Sequence, residues 1–397
     1  MKKRDTVIIG AGPAGMATAL AMQSLGYKCT VIDKEEFPRS KACGGLLTMK
    51  SISLLGILLD DTRNFYENSK MLKKVYVSSY GKKLFDYECD IPFFSTSRLF
   101  LDNELVMQYT EKDGDIIESC KCINVDQIKK VIITTRGELS YDKLVIANGA
   151  DSKIPGLPQR ILQTDVKRIV TPSCLGGTGN AKSDIFETDG IHISVGQIWQ
   201  GYSWAFPQKD NSFNIGFAGN LRATESFPIV FSDILNTYGL SKKDILWGKI
   251  PIYQESLPIF DKNIFMVGSS TGMLDALTGE GLFFAFLSGI YTGLFLANHI
   301  TYFEYQHGIK QIDFYVKGGM FSANILWKYK LLAPLLKLGS CLKKLDVNIT
   351  DHLISNYNYN HYSALLSPII TYLNLNVPNE HLINRISELR LSHEKKQ

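Results

Sequence analysis

The spacing of hydrophobic and polar positions changes several times along the chain. Residues 5–10 (DTVIIG) form a short apolar run, the pattern of a parallel strand buried on both faces. Residues 11–26 (AGPAGMATALAMQSLG) follow with helical spacing and end at Gly26, where a helix C-cap fits. Residues 28–33 (KCTVID) return to a strand that closes on Asp33. The β-α-β unit so predicted is about thirty residues long, as a dinucleotide fingerprint requires. Further on, 48–59 (TMKSISLLGILL) and 97–112 (SRLFLDNELVMQYTEK) carry helical spacing, while 74–89 alternates around Gly81 as a hairpin. Residues 131–149 predict a hairpin strand feeding a last apolar strand. Residues 190–219 break into short aromatic strands punctuated by Gly and Asn, and 262–268 (KNIFMVG) resumes the buried-strand pattern. The final hundred residues are helical in pattern and rich in Leu, Tyr and Lys.

This pattern predicts an α/β protein: a Rossmann-like domain, an inserted and mostly antiparallel β domain, and a helical C-terminal region. The length of 397 residues suits two or three domains. With 45% hydrophobic and 21% charged residues, the composition is that of an ordinary globular protein. The net charge of +4 is a small remainder of 43 basic and 39 acidic residues, and no basic run points to nucleic acid.

Two apolar stretches imitate membrane signals. The first, at the N-terminus, is interrupted by Asp5, Gly10, Gly12, Pro13 and Gly15, so a signal peptide is rejected. The second, 281–300, is the most apolar twenty-residue window, but its glycine-rich lead-in favours a buried helix at a cofactor site. Seven cysteines are scattered, and Cys120-Lys121-Cys122 has no second pair to complete a zinc set. Reduced thiols, no metal and a cytoplasmic location are the expectation.

Gly10-Ala11-Gly12-Pro13-Ala14-Gly15 fits G-x-G-x-x-G. Gly10 permits the tight turn, Gly12 lets backbone approach a pyrophosphate, and Gly15 lets helix pack on strand. The helix start offers free N–H groups to phosphate, and Asp33 is placed for a ribose hydroxyl. Two later strand-to-turn junctions, at 143–152 (KLVIANGADS) and 264–281, have the form of further contacts to a large cofactor. Lys41, Cys43, Gly44 and Gly45 sit in the stretch SKACGGLL, whose glycines allow close backbone approach to a flat ring. Tyr202, Trp204 and Phe206 alternate, which puts three rings on one face of a strand.

Five segments in this order resemble the geranylgeranyl reductase family of flavoproteins, within the group that holds the aromatic hydroxylases and flavin-dependent halogenases. They are GAGPAG at 10–15, K-x-C-G-G at 41–45, R-x-x-x-D at 98–102, Y-x-W-x-F-P at 202–207 and T-G-E-G at 278–281. The resemblance spans about residues 5–300. It implies that FAD lies along the β-α-β unit, with cofactor contacts from Gly10, Gly12, Pro13, Ala14, Gly15, Asp33, Lys34, Arg39, Ala42, Cys43, Gly44, Gly45, Arg98, Cys122, Ser269, Gly281 and Leu282. Tyr202, Trp204 and Phe206 would wall the substrate cavity. Cys43 would face that cavity and position or protonate the substrate. The domains implied are 1–72, 97–156 and 251–300 for FAD, 73–96 and 157–250 for substrate, and 301–397 as the helical region.

Three departures stand against the family's pattern. Asn148 and Ser269 occupy positions where the family has an acid, and Ala276 stands for a proline. Ser269 still accepts one hydrogen bond, though not a charge-assisted one. For Arg98, Asp102 is also an i,i+4 neighbour, so a plain helix ion pair is the alternative role.

The leading reading is an FAD-dependent reductase of carbon–carbon double bonds in a prenyl or other long apolar substrate. The electron donor stays open between NAD(P)H, ferredoxin and another carrier. A monooxygenase or halogenase on the same scaffold is the alternative, and a non-catalytic flavin or lipid binder is a third. The basic and apolar stretch 328–344 adds peripheral membrane contact as a further expectation.

Overall fold

The computed structural model describes residues 3–150, 154–157, 174–182, 184–221, 227–251, 260, 261, 263–328 and 334. The chain begins with β1 (Lys3–Ile9), α1 (Pro13–Ser24) and β2 (Thr30–Ile32), then β3 (Leu46–Leu47), α2 (Met49–Leu58) and α3 (Arg63–Glu67). The hairpin β4 (Lys70–Ser79) and β5 (Lys82–Ser95) leads into α4 (Arg98–Thr110). Next come β6 (Asp115–Ile117) and a meander of β7 (Cys122–Asp126), β8 (Val131–Thr134) and β9 (Gly137–Ile146). Strands β10 (Cys174–Ala181), β11 (Gly190–Val195), β12 (Tyr202–Pro207) and β13 (Phe213–Gly219) precede α5 (Phe227–Tyr238) and β14 (Leu246–Ile250). The chain then returns through β15 (Phe260–Asp261) and β16 (Ile264–Met266) to α6 (Leu282–Leu296) and α7 (Tyr302–Lys328).

These strands form two sheets. The first has the order β15-β16-β9-β1-β2-β6, with the β7–β8 hairpin attached through β8 to β9. Its central pairs, β16–β9, β9–β1, β1–β2 and β2–β6, are parallel. Val7, Ile8, Val31, Leu144, Val145 and Ile146 are fully buried there, as a sheet covered on both faces requires. Helix α6 lies across α1: a Cβ on Gly289 would come 2.4 Å from Ala14 O, and one on Gly293 2.7 Å from Thr18 O. The apolar window at 281–300 is therefore core, buried from Leu282 to Leu294. Among the described residues, no helix is long and apolar enough to cross a membrane.

The second sheet has the order β14-β10-β13-β12-β11-β4-β5-β3. It is antiparallel except where β11 pairs parallel with β4. Helix α5 packs Val230, Ile234 and Leu235 onto Phe213, Ile215 and Phe217 of one face. Trp204 and Phe206 belong to the other face, with Leu72, Val75 and Ile191.

Two features depart from the sequence pattern. Residues 227–238 (FPIVFSDILNTY) fold as a helix that the pattern does not announce, because Pro228 and several β-branched and aromatic residues blur the helical signal. Leu46–Leu47, inside the first stretch assigned to the FAD domain, pair with Phe94 and Ser95 of the second sheet. That pairing ties the SKACGGLL loop to the substrate-side sheet. The basic stretch 328–344 lies outside the described residues except for Lys328 and Pro334.

Candidate functional site

The fingerprint loop is shaped by close backbone packing. Gly10 has φ +108°, and a Cβ there would lie 2.4 Å from Ala147 O. A Cβ on Gly15 would lie 1.9 Å from Gly10 O. Both positions therefore exclude any side chain. Gly12 is the N-cap of α1 and supplies no side-chain cap, and Pro13 and Ala14 form its buried first turn. The amides of this helix start thus face outward as an anion site. Asp33 is buried at the end of β2. Its Oδ2 accepts the Ala11 N–H at 2.7 Å and its Oδ1 the Glu35 N–H at 3.0 Å. Lone pairs remain on both oxygens for a ribose hydroxyl. Lys34 is exposed, with Nζ 3.4 Å from Glu35.

Two arginines converge beside this loop. Arg39 Nη2 lies 3.6 Å from the point where a Gly12 Cβ would stand. Arg39 Nη1 is buried and makes no hydrogen bond, although Asp102 Oδ2 is 3.0 Å away. Arg98, at the start of α4, donates to both oxygens of Asp102, at 2.6 and 2.8 Å. Asp102 is fully buried. Burial alone would push the Arg98 guanidinium down, but the Asp102 carboxylate and then Cys43 hold it above its ordinary value. The i,i+4 ion pair does form, and Cys43 adds to the charge that holds the same guanidinium above its ordinary value.

The cysteine loop presses against β12. Cys43 is half-buried, and its sulfur accepts the Gly45 N–H at 3.4 Å. Asn214 donates to Cys43 O at 3.2 Å and accepts the Trp204 indole N–H at 2.9 Å. A Cβ on Gly44 would come 2.8 Å from the Phe206 ring and 3.2 Å from Trp204 Nε1. Gly45 has φ +68° and no room beside Thr96 O, and Ala42 packs near Gly248. Tyr202, Trp204 and Phe206 run along one face of β12, with neighbouring ring centroids 5.8 and 5.9 Å apart.

The third wall is the turn before α6. Gly279 takes φ +73°, and Gly281 is an N-cap without a side-chain cap, followed by buried Leu282. Asp275 Oδ1 accepts the Leu277 and Thr278 N–H groups at 2.7 and 3.1 Å. The Tyr202 hydroxyl donates to Thr278 O. Burial first, then Asp275, Cys43 and Glu280, push the Tyr202 phenol above its ordinary value, so it keeps its proton at neutral pH. The Glu280 carboxylate turns away toward α2. It accepts the Thr48 hydroxyl at 2.6 Å and the Ser51 hydroxyl at 3.4 Å, and Lys50 Nζ lies 2.5 Å from its other oxygen.

The structure thus brings Cys43, Gly44, Arg98, Tyr202, Trp204, Phe206 and the Thr278–Gly281 turn together. Ser269 lies in the short turn Gly268–Thr271 after β16, half-buried, with its carbonyl accepting the Gly272 N–H. Cys122 sits on β7 against the meander core, its thiol directed at Asn124 O at 3.8 Å. Burial pushes that thiol up to about 12, assisted by Cys120. The CxC segment borders the fingerprint through backbone, where Cys120 N–H donates to Asp33 O at 2.7 Å. Thr48, Lys50, Asn214 and Asp275 are site residues that sequence reasoning misses. The signal for Lys50 is a lone charge in an apolar helix. A cavity of about 390 Å³ lined by Cys29, Thr30, Tyr109 and Asp115 lies at the opposite, N-terminal end of the parallel strands.

These groups suit FAD. An uncapped helix start has the Arg39 guanidinium beside it, with Nη2 near Gly12, a carboxylate stands at ribose distance along the chain, and a second uncapped helix start closes the far side. Comparison with known proteins agrees. Residues 4–174 match the family model described as pyridine nucleotide-disulphide oxidoreductase. The chain is 23% identical over 327 residues to a menaquinone reductase of Mycolicibacterium smegmatis, covering 75% of this chain and 76% of that one. It is 22% identical over 309 residues to digeranylgeranylglycerophospholipid reductase 1 of Methanopyrus kandleri, covering 73% and 79%. Among solved structures, a geranylgeranyl bacteriochlorophyll reductase-like protein from Thermoplasma acidophilum superposes with a TM-score of 0.64. It is 17% identical, and the match covers 93% of this chain and all of that one.

Proposed function

We propose that this FAD-dependent oxidoreductase reduces carbon–carbon double bonds in a prenyl chain or another long apolar molecule. The observation that carries the reading is the contact of the Cys43–Gly44 loop with Trp204 and Phe206, across from the Thr278–Gly281 turn. An aromatic wall of this kind suits a hydrocarbon and keeps water from it. Reduced FAD, held by the α1 and α6 starts, would be the source of hydride for one alkene carbon. The chain's own residues do the rest. Trp204 is fixed by Asn214, so its ring cannot swing away from the substrate. Tyr202 is fixed by Thr278 O and ties β12 to the α6 turn. The Gly45 N–H holds the Cys43 sulfur in place, and Cys43 orients the alkene and passes a proton to the second carbon. Isoprenoid-related relatives support the substrate class, and the donor of electrons is an external carrier such as NAD(P)H or ferredoxin.

The test is anaerobic. The flavin is reduced with dithionite, a prenyl lipid is added, and the product is expected two mass units heavier per bond reduced. Turnover that strictly needs oxygen would replace this reading by a monooxygenase. Cys43→Ala should retain FAD and slow the reduction at least tenfold. An unchanged rate would leave Cys43 a packing residue.

A further inference from the structure

Lys50 and Glu280 are separated by most of the chain and meet behind the site. Lys50 is fully buried, and its ammonium lies 4.9 Å from the centroid of the Phe283 ring as well as 2.5 Å from Glu280. A lysine is seldom placed in a core without a definite counter-charge. The arrangement around Glu280 is also unusual for α2. Thr48 is the N-cap of that helix, yet its hydroxyl makes no cap bond and goes to Glu280 instead. Ser51 turns its hydroxyl to the same oxygen. The carboxylate therefore sits at the start of α2, where the helix dipole favours negative charge.

The position of Glu280 explains why so many groups hold it. It stands between Gly279 and Gly281, in a turn that Asp275 and Tyr202 hold from its own side and that Glu280 ties to α2. On the far side, Thr48 follows β3 directly, and β3 follows Cys43-Gly44-Gly45. We infer that the Lys50–Glu280 ion pair is a positioning device that locks the Thr278–Gly281 turn to the Cys43 loop and so sets how tightly the site holds FAD. Both act through the backbone they anchor. The inference rests on the FAD reading of the site and not on the identity of the substrate.

The experiment measures FAD release from the holoenzyme on dilution, read by recovery of flavin fluorescence. Lys50→Met leaves a buried carboxylate without its cation and should raise the FAD dissociation constant at least tenfold. Lys50→Arg should stay within threefold of the wild type. The double variant Lys50→Met/Glu280→Gln removes both charges and should recover at least threefold of the loss. A role in packing alone would predict no such recovery. A Lys50→Met dissociation constant within twofold of the wild type, or effects of the two substitutions that simply multiply, overturns the inference. If Lys50→Met cannot be purified folded, Thr48→Val carries the test, with a threefold weakening expected and an unchanged constant overturning it. Failure to reduce prenyl lipid leaves this ordering of FAD constants intact, so the two readings fail separately. A wild-type chain that takes up no FAD overturns the reading beneath both.

Discussion

Helices α1 and α6 both begin at a glycine without a side-chain cap, and both starts belong to the proposed flavin site, but they are fixed by different means. The α1 loop is shaped by its own neighbourhood. Gly10 turns against Ala147, and Asp33, 22 residues beyond Ala11, takes the Ala11 N–H. The α6 turn has a local element in Asp275, but its outward anchor is Glu280 reaching Thr48 across 232 positions, with Lys50 beside it. The first device is made of backbone and needs the absence of side chains. The second is made of side chains and needs two distant segments to be already packed.

The largest expected effect comes from adding one methyl group at each start. In Gly15→Ala the new Cβ would lie 1.9 Å from Gly10 O, a backbone atom that cannot step aside. A loss of about 4 kcal/mol or more in urea denaturation is expected, together with loss of bound FAD. In Gly281→Ala the Cβ meets only Leu274 Cδ1 at 3.4 Å, an ordinary contact. A change below about 1 kcal/mol is expected there. Equal losses in the two variants would break the distinction between a backbone device and a side-chain device.

A smaller effect sharpens the α1 side. Asp33→Ala leaves the Ala11 and Glu35 N–H groups without their acceptor. The cost should be about 1–3 kcal/mol, the range for stranding a buried donor. If the same carboxylate binds the ribose as proposed, FAD should dissociate at least tenfold more readily, measured by fluorescence on dilution. Asp33→Asn keeps one carbonyl acceptor and should fall between the two. A stability loss without any loss of FAD affinity would make Asp33 a loop-shaping residue only.

The same contrast explains what the sequence discloses. The fingerprint is legible because strand, glycines, helix and acid fall within about thirty residues in a fixed order. The three rings of β12 are legible because alternation along a strand leaves no choice of face. The partners of Glu280 are not legible, because a Thr, a Lys and a Ser in an apolar helix announce nothing until tertiary packing delivers them. Arg98 lies between these cases. Its spacing to Asp102 forecasts the ion pair, but nothing local forecasts that Arg39 joins the same carboxylate. Lys41, the charge nearest to Cys43 in sequence, is exposed. The strand at Leu46–Leu47 escapes notice for a related reason. Two leucines show no period, and only their pairing with Phe94 and Ser95 makes them a strand.

The smallest expected effect lies away from both helix starts and serves as their control. On the outer face of the second sheet, His192 stacks on Tyr76 at 4.6 Å and borders Phe186, with Nε2 2.9 Å from Glu187 O. Burial pushes this imidazole below its ordinary value, while the Glu187 carbonyl and the charges of Glu187 and Asp189 oppose the push. The unfolded chain therefore binds the proton more readily than the folded one just below the ordinary histidine value of about 6.5. The contribution of His192 to stability is complete above that value and is lost as pH falls through the folded one. Partial exposure keeps the effect modest. The melting temperature should fall further between pH 8 and pH 5.5 in the wild type than in His192→Phe, which keeps the ring stack and loses the titration. FAD content should be equal in both chains at each pH, because neither helix start touches this face. A parallel loss of FAD in the wild type alone would mean that the outer face and the flavin site are coupled, and that the α6 turn is steered from further away than Lys50.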